Sequence, residues 1–122
     1  MLNVLAVGAG GFVGSVLRYL IGLIPVTETF LFPIKTFAIN VIGCILIGFI
    51  AVSVSKNVEV NPQMLLFLKV GLCGGFTTFS TFALETSDLI KSGNIIIAFA
   101  YVTLSVLVGI AVIFAAEYLA VK

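Results

Sequence analysis

A chain of 122 residues has the length of one small domain, but 61% of its residues are hydrophobic and 9% are charged, far from the balance of soluble proteins. Six Lys/Arg and five Asp/Glu are too few to cover a soluble domain, whose remaining apolar surface would aggregate in water. A net charge of +1 and the absence of histidine exclude a basic nucleic-acid footprint and disfavour histidine-based metal sites and catalysis.

Taking about 20 apolar residues as the length that crosses roughly 30 Å of hydrocarbon, the chain divides at its polar punctuation into four spans. The first covers about residues 2–24 and stops at Pro25. Its start, MLNVLAVGAGGFVGSVLRYL, has no Lys or Arg ahead of the apolar stretch and is longer than a signal-peptide core, so a retained helix is expected. GAGGFVG within it has GxGxxxG spacing with no preceding strand, which removes a dinucleotide-loop reading. After the loop PVTETFLF, Pro33 at an N1-like position opens a second helix over about residues 33–55, and SKNVEVNP forms the next loop. The third span, about residues 62–90, is long, and CGGFTTFSTF lies near its centre. The turn KSGN, with Gly93 and Asn94 as breakers, leads into a fourth helix over about residues 95–120. Continuous rather than alternating apolar runs make these helices and not barrel strands. The expected fold is all-α, a single four-helix transmembrane domain over residues 1–122.

Gly10 and Gly14, Gly11 and Ser15, and Gly71 and Gly75 form small-xxx-small pairs, which let helix backbones approach closely in lipid. Cys44 and Cys73 lie in apolar runs without a CxxC partner and read as small, polarisable packing residues. A lone four-helix bundle has a filled core, so a conduit needs at least two copies and oligomerisation is expected. Assigning the loops alternately puts Lys56, Lys69 and Lys122 on the N-terminal side and Arg18, Lys35 and Lys91 on the other. An excess of Lys/Arg on one face normally fixes orientation. Three against three fixes neither, so insertion in both orientations and an antiparallel homodimer are expected.

Polar residues inside a span are costly, and each is a functional candidate. Asn40, in TFAINVIG, either bonds a neighbouring helix or serves a ligand, with Thr36 one turn earlier on the same face. Arg18 either snorkels to the headgroups or stands as a cation at an anion-attracting vestibule, where its five fixed donors suit the purpose. In the third span, Gly74 and Gly75 each weaken a helix by about 1 kcal/mol relative to alanine, and the hydroxyls of Thr77 and Thr78 compete for backbone partners. A break near residues 73–77 is expected. Lipid tolerates it only where the freed backbone groups are buried, face a cavity or meet an ion, and freed carbonyls suit a hard cation such as Na⁺. Beyond it, Phe79 and Phe82 share a face beside Ser80 and Thr81. Alone, an aromatic pair at this spacing is ordinary core or lipid-facing packing. Beside hydroxyls, positive ring edges can replace part of an anion's hydration shell without a fixed charge that would trap it, and weak, multiple sites favour conduction.

GGFVGSVLRY (residues 10–19), KTFAINVIGCILIG (35–48) and GLCGGFTTFSTFALE (71–85) together strongly resemble the CrcB/Fluc family of fluoride channels. The resemblance covers essentially the whole chain, and the GxTTFSTF core is its most specific part. It implies a passive fluoride exporter of the prokaryotic plasma or inner membrane that reduces fluoride toxicity, built as an antiparallel, dual-topology homodimer with two pores. It also implies a structural Na⁺ at the dimer centre, held by backbone carbonyls of Gly74 and Thr77 from both subunits. By the same resemblance Asn40 is the pore amide that donates to fluoride, and Phe79 and Phe82 flank the anion path with their ring edges. Ser80 and Thr81 match third-helix hydroxyls, Ser105 a fourth-helix serine of the polar track, and Tyr101 an aromatic position one turn before it. Arg18 matches a first-helix arginine near the pore mouth, and Glu85 a glutamate near the pore end. Where some relatives carry a second fourth-helix hydroxyl, this chain has Gly109. The implied partners are fluoride, membrane lipid and a second copy of the chain.

The main alternative is a small, dual-topology, proton-coupled drug antiporter. Such a carrier needs a membrane-embedded carboxylate, whereas Glu28, Glu59, Glu85, Asp88 and Glu117 fall at loops or helix ends and no acid occupies the first helix. A purely structural assembly factor is a further alternative, under which apolar residues could replace the polar stripe without loss of function. Without histidine no nucleophile-and-base constellation forms, which disfavours an enzyme.

Overall fold

The computed structural model describes residues 1–121 except 28, 30, 57 and 58. Glu28, Lys122 and the parts of the two expected loops at those four positions lie outside the described residues. The described chain is all-helical, without strands: α1 (Leu2–Gly22), α2 (Ile34–Ser55), α3 (Pro62–Leu65), a π-helical stretch (Leu66–Cys73), α4 (Gly74–Phe76), α5 (Phe79–Lys91) and α6 (Ile95–Val121). These make four segments long and apolar enough to cross a membrane: Leu2–Gly22, Ile34–Ser55, Pro62–Lys91 and Ile95–Ala120.

Local chemistry sets most of the ends. α1 stops at Gly22, two residues short of the expected end, because Leu23 and Ile24 bond back only to Leu20 and Ile21 in tightened turns and Lys35 Nζ caps the Gly22 carbonyl at 2.7 Å. A cation at a helix C-terminus satisfies orphan carbonyls and complements the dipole. Pro33 stands at the N-cap of α2 rather than at its first helical position. In α3 the arrangement is the one proline favours, Pro62 at N1 behind Asn61, whose side chain accepts from the amides of Gln63 at 2.8 Å and Met64 at 3.3 Å. The α5–α6 turn closes on Gly93, at φ +85°. Gly93 N–H reaches the Ile90 carbonyl and Asn94 N–H the Leu89 carbonyl, the paired bonds of a Schellman ending that needs a left-handed residue.

Helices adjacent in sequence are not the main neighbours in space. α1 packs on the π-helical stretch and α4, while α2 packs on α6. The first pairing is a backbone-to-backbone contact. A Cβ on Gly10 would meet the Phe67 carbonyl oxygen, one on Gly71 would lie 2.7 Å from Gly10 Cα, and one on Gly75 would lie 2.7 Å from the Gly11 carbonyl oxygen. Glycine permits this proximity, which supplies van der Waals contact where lipid offers no hydrophobic drive between helices. A second cluster forms around Tyr101, which is 0% exposed, together with Leu89 and Ala98 and the rings of Phe32, Phe37 and Phe82.

Candidate functional site

The third span is interrupted at Thr77 and Thr78, whose backbones are extended (φ −81°, ψ 159° and φ −148°, ψ 119°) between α4 and α5. Thr78 begins α5 as its N-cap, its Oγ1 accepting from Thr81 N at 3.2 Å, a bond that satisfies one orphan amide of the new helix. Asn40 of α2 secures the same residue from the side. Its Nδ2 donates to the Thr78 carbonyl at 3.2 Å, and its Oδ1 accepts from the Thr78 amide at 2.9 Å. One turn along α2, a Cβ on Gly43 would strike Thr77 Cγ2, so α2 approaches the break only because position 43 has no side chain.

These bonds determine which carbonyls the break frees. The Thr78 amide, which in a continuous helix would close on Gly74, is taken by Asn40. The Thr81 amide, which would close on Thr77, is taken by Thr78 Oγ1. The Gly75 carbonyl accepts from Arg18 Nε at 3.2 Å, and the Cys73 carbonyl accepts both from the Thr77 amide at 3.1 Å and from Thr77 Oγ1 at 2.9 Å. The carbonyls of Gly74 and Thr77 are thus deprived of the amides that would close on them in a continuous helix, and a carbonyl in that state within a membrane span needs another partner.

A cavity of about 400 Å³ lies against the break. Six of the candidate site residues line it together: Asn40, Gly74, Thr77, Phe79, Phe82 and Ser105. Ser105 brings a buried hydroxyl oxygen without a hydrogen-bond partner, a costly state unless something enters to meet it. Phe79 is 79% exposed and stands 5.9 Å from Phe82 at an interplanar angle of 49°. Phe82 in turn meets Tyr101 edge-to-face, with centroids 4.9 Å apart.

The other named residues lie elsewhere. Tyr101 is in the core beside Phe82 and donates from its hydroxyl to Glu85 Oε1 at 3.1 Å, so these two act as a pair behind the aromatic wall. Ser80 is exposed, and the Thr81 amide serves the α5 cap; neither lines the cavity. Arg18 is half-buried against α4 rather than at the cavity wall. Gly109 packs under Cys44, whose sulfur a Cβ at 109 would meet at 3.3 Å. Beyond Ser105, therefore, the fourth helix presents a glycine beside a thiol where a hydroxyl was implied.

Three features were not foreseen. The Asn40–Thr78 exchange joins residues 38 apart in sequence, and only the polarity of both hinted at it. The Arg18–Gly75 bond has no local signal. Lys69 lines the cavity, although by sequence it counts only as a charge near a helix start.

Comparison with known proteins agrees with this architecture. The family profile described as CrcB-like protein, Camphor Resistance (CrcB), matches residues 5–117. A protein of Chlorobaculum tepidum named fluoride-specific ion channel FluC is 47% identical over 121 residues, covering 98% of this chain and 95% of that one. Proteins of the same name from Flavobacterium psychrophilum and Phocaeicola vulgatus are 44% and 45% identical over 112 and 111 residues, each covering 90% of this chain and 90% and 91% of theirs. With four apolar spans interrupted only at the third, and a profile match running from the first helix into the last, the chain is a multi-pass membrane protein that belongs to the CrcB family.

Proposed function

We propose that this protein is a passive, fluoride-selective channel that carries F⁻ out of the cytoplasm. The observation that carries the reading is the cavity in which the Asn40 amide, the unpartnered Ser105 hydroxyl and the rings of Phe79 and Phe82 face one space. Neutral donors and ring edges compensate the lost hydration of a small anion in several weak steps, which lets it enter and leave. The shared name of the relatives, fluoride-specific ion channel, supports fluoride as that anion. Hydrogen fluoride crosses the bilayer uncharged and dissociates inside, and the membrane potential, worth about 2.3 kcal/mol per charge per 100 mV, then drives the anion out through the path. The protein itself makes and breaks no covalent bond in this scheme, so it is a channel and not an enzyme.

The working form is an antiparallel homodimer with a structural Na⁺ at its centre. Gly74 and Thr77 each offer a carbonyl that has lost its helical donor, and a Cβ at Gly74 would meet open space. Neutral oxygens of this kind suit a hard monovalent cation, and two from each of two copies surround it better than two alone. The ion would hold the subunits together and raise the potential for anions nearby. The balance of Lys/Arg across the two faces supports insertion in both orientations, and the exposure of Phe79 supports a second copy completing the aromatic wall.

Fluoride efflux from proteoliposomes holding the pure protein, with chloride as control, tests the proposal. Rapid fluoride release without chloride release is the expected result, abolished in Phe79→Ile. Absence of fluoride release, or equal release of both halides, would overturn it. A C-terminal tag found on one membrane side only would refute dual orientation.

A further inference from the structure

Lys69 is the one cation of the third span placed well inside it, seven residues after Pro62 and therefore on the order of 10 Å along the helix. A charge at that depth in an apolar segment is costly and is kept for a reason. The other described cations are accounted for. Arg18 and Lys35 serve the carbonyls of Gly75 and Gly22, Lys56 follows the last residue of α2, and Lys91 sits in the last turn of α5, where a cation complements the dipole. Among the described residues Lys69 makes no hydrogen bond or ion pair, yet it is exposed and lines the same cavity as Asn40, Phe82 and Ser105.

The backbone explains how it gets there. Lys69 lies in the π-helical stretch, of which Gly74 is the C-cap, and both line the cavity. On the far side of Phe82 is a second cavity of about 480 Å³, lined among others by Thr86, Ser87 and Lys91. Phe82 is the one residue common to the two linings. The lysine ammonium is a compact, hydrated point charge on a flexible stem, which can lie along an apolar wall and keep its head in water. It therefore attracts anions without gripping them as a fixed guanidinium fork would.

We infer that Lys69 is an anion-collecting residue, which raises the local concentration of small inorganic anions at the end of the path away from Lys91 and feeds them to Asn40 and the phenyl pair. This rests on the cavity being a fluoride path. A cleft of one sign of charge with low-dielectric walls raises anion entry by tenfold or more, and salt removes the effect.

The test is initial fluoride efflux for wild type, Lys69→Gln, Lys69→Arg and Lys56→Gln at about 10 mM and about 1 M impermeant salt, where the screening length falls from about 30 Å to about 3 Å. Lys69→Gln is expected to be about tenfold slower at low salt and to converge on wild type at high salt, while Lys69→Arg stays near wild type and Lys56→Gln shows a smaller deficit than Lys69→Gln. The inference is overturned by a Lys69→Gln rate equal to wild type at low salt, by a deficit that salt leaves unchanged, by Lys69→Arg falling as far as Lys69→Gln, or by Lys56→Gln slowing as much. Should Lys69→Gln fail to assemble, a wild-type rate indifferent to salt overturns it equally. Wild type that releases no fluoride at either salt sinks the channel reading itself, a result distinct from all of these.

Discussion

Asn40 and Thr78 hold each other by both backbone groups of Thr78, the carbonyl accepting from Nδ2 at 3.2 Å and the amide donating to Oδ1 at 2.9 Å. Asn40→Asp keeps the acceptor but turns the donor into a second oxygen that opposes the Thr78 carbonyl. An unsatisfied buried group costs about 1–3 kcal/mol, and the helix break loses its lateral restraint. The variant is expected to lose fluoride efflux and to denature at lower temperature in detergent. An unchanged melting midpoint would mean that the exchange carries no structural weight.

Gly71→Ala and Gly8→Ala make a matched pair on the α1 contact. A methyl at 71 would lie 2.7 Å from Gly10 Cα and from the Val7 carbonyl oxygen, whereas a methyl at 8 would meet nothing within 4 Å. Overpacking costs about 1–3 kcal/mol, and alanine at an open helical position gains up to about 1 kcal/mol in propensity. Thermal unfolding in detergent should therefore show Gly71→Ala destabilised and Gly8→Ala unchanged or slightly stabilised.

Ser105→Ala separates stability from conduction. The Ser105 oxygen is buried with no partner, so deleting it removes a penalty of about 1–3 kcal/mol and should leave the melting midpoint equal or higher. The same deletion removes a donor from the path and should slow efflux. A variant both less stable and equally fast would contradict each half of the argument.

Arg18→Gln takes the charged donor from the Gly75 carbonyl, a bond of 3.2 Å in a class worth about 1.5–3 kcal/mol. A lower melting midpoint is expected, together with faster hydrogen exchange at the amides around the break. Arg18→Gln with wild-type exchange would show that α1 packing alone holds α4 in place.

The spans were legible because lipid imposes one rule on every run of apolar residues, and Pro62, Gly93 and Asn94 mark ends by local chemistry. The gathering of Asn40, Phe79, Phe82 and Ser105 on one cavity was partly legible from polar residues at helical spacing and from the resemblance. Long-range pairing was not. Nothing near Arg18 points to Gly75, and nothing in LFLKVGLC distinguishes a π-helix from an α-helix, although the wider turn falls where the glycines of α1 press against that stretch. Pro33 shows the limit of local rules, standing one position outside the helix it was expected to begin.

Because α1 packs mainly on the third span and α2 on α6, each early helix waits for a late partner during synthesis. Gly71 follows Gly10 by 61 residues (71 − 10), roughly 3–12 s of elongation at about 5–20 residues per second. Throughout that interval the glycine face of α1 borders lipid, beside a second helix that offers it little. A ribosome stalled before Gly71 would leave in the bilayer two helices each still lacking its main partner, a species that membrane quality control would have reason to remove.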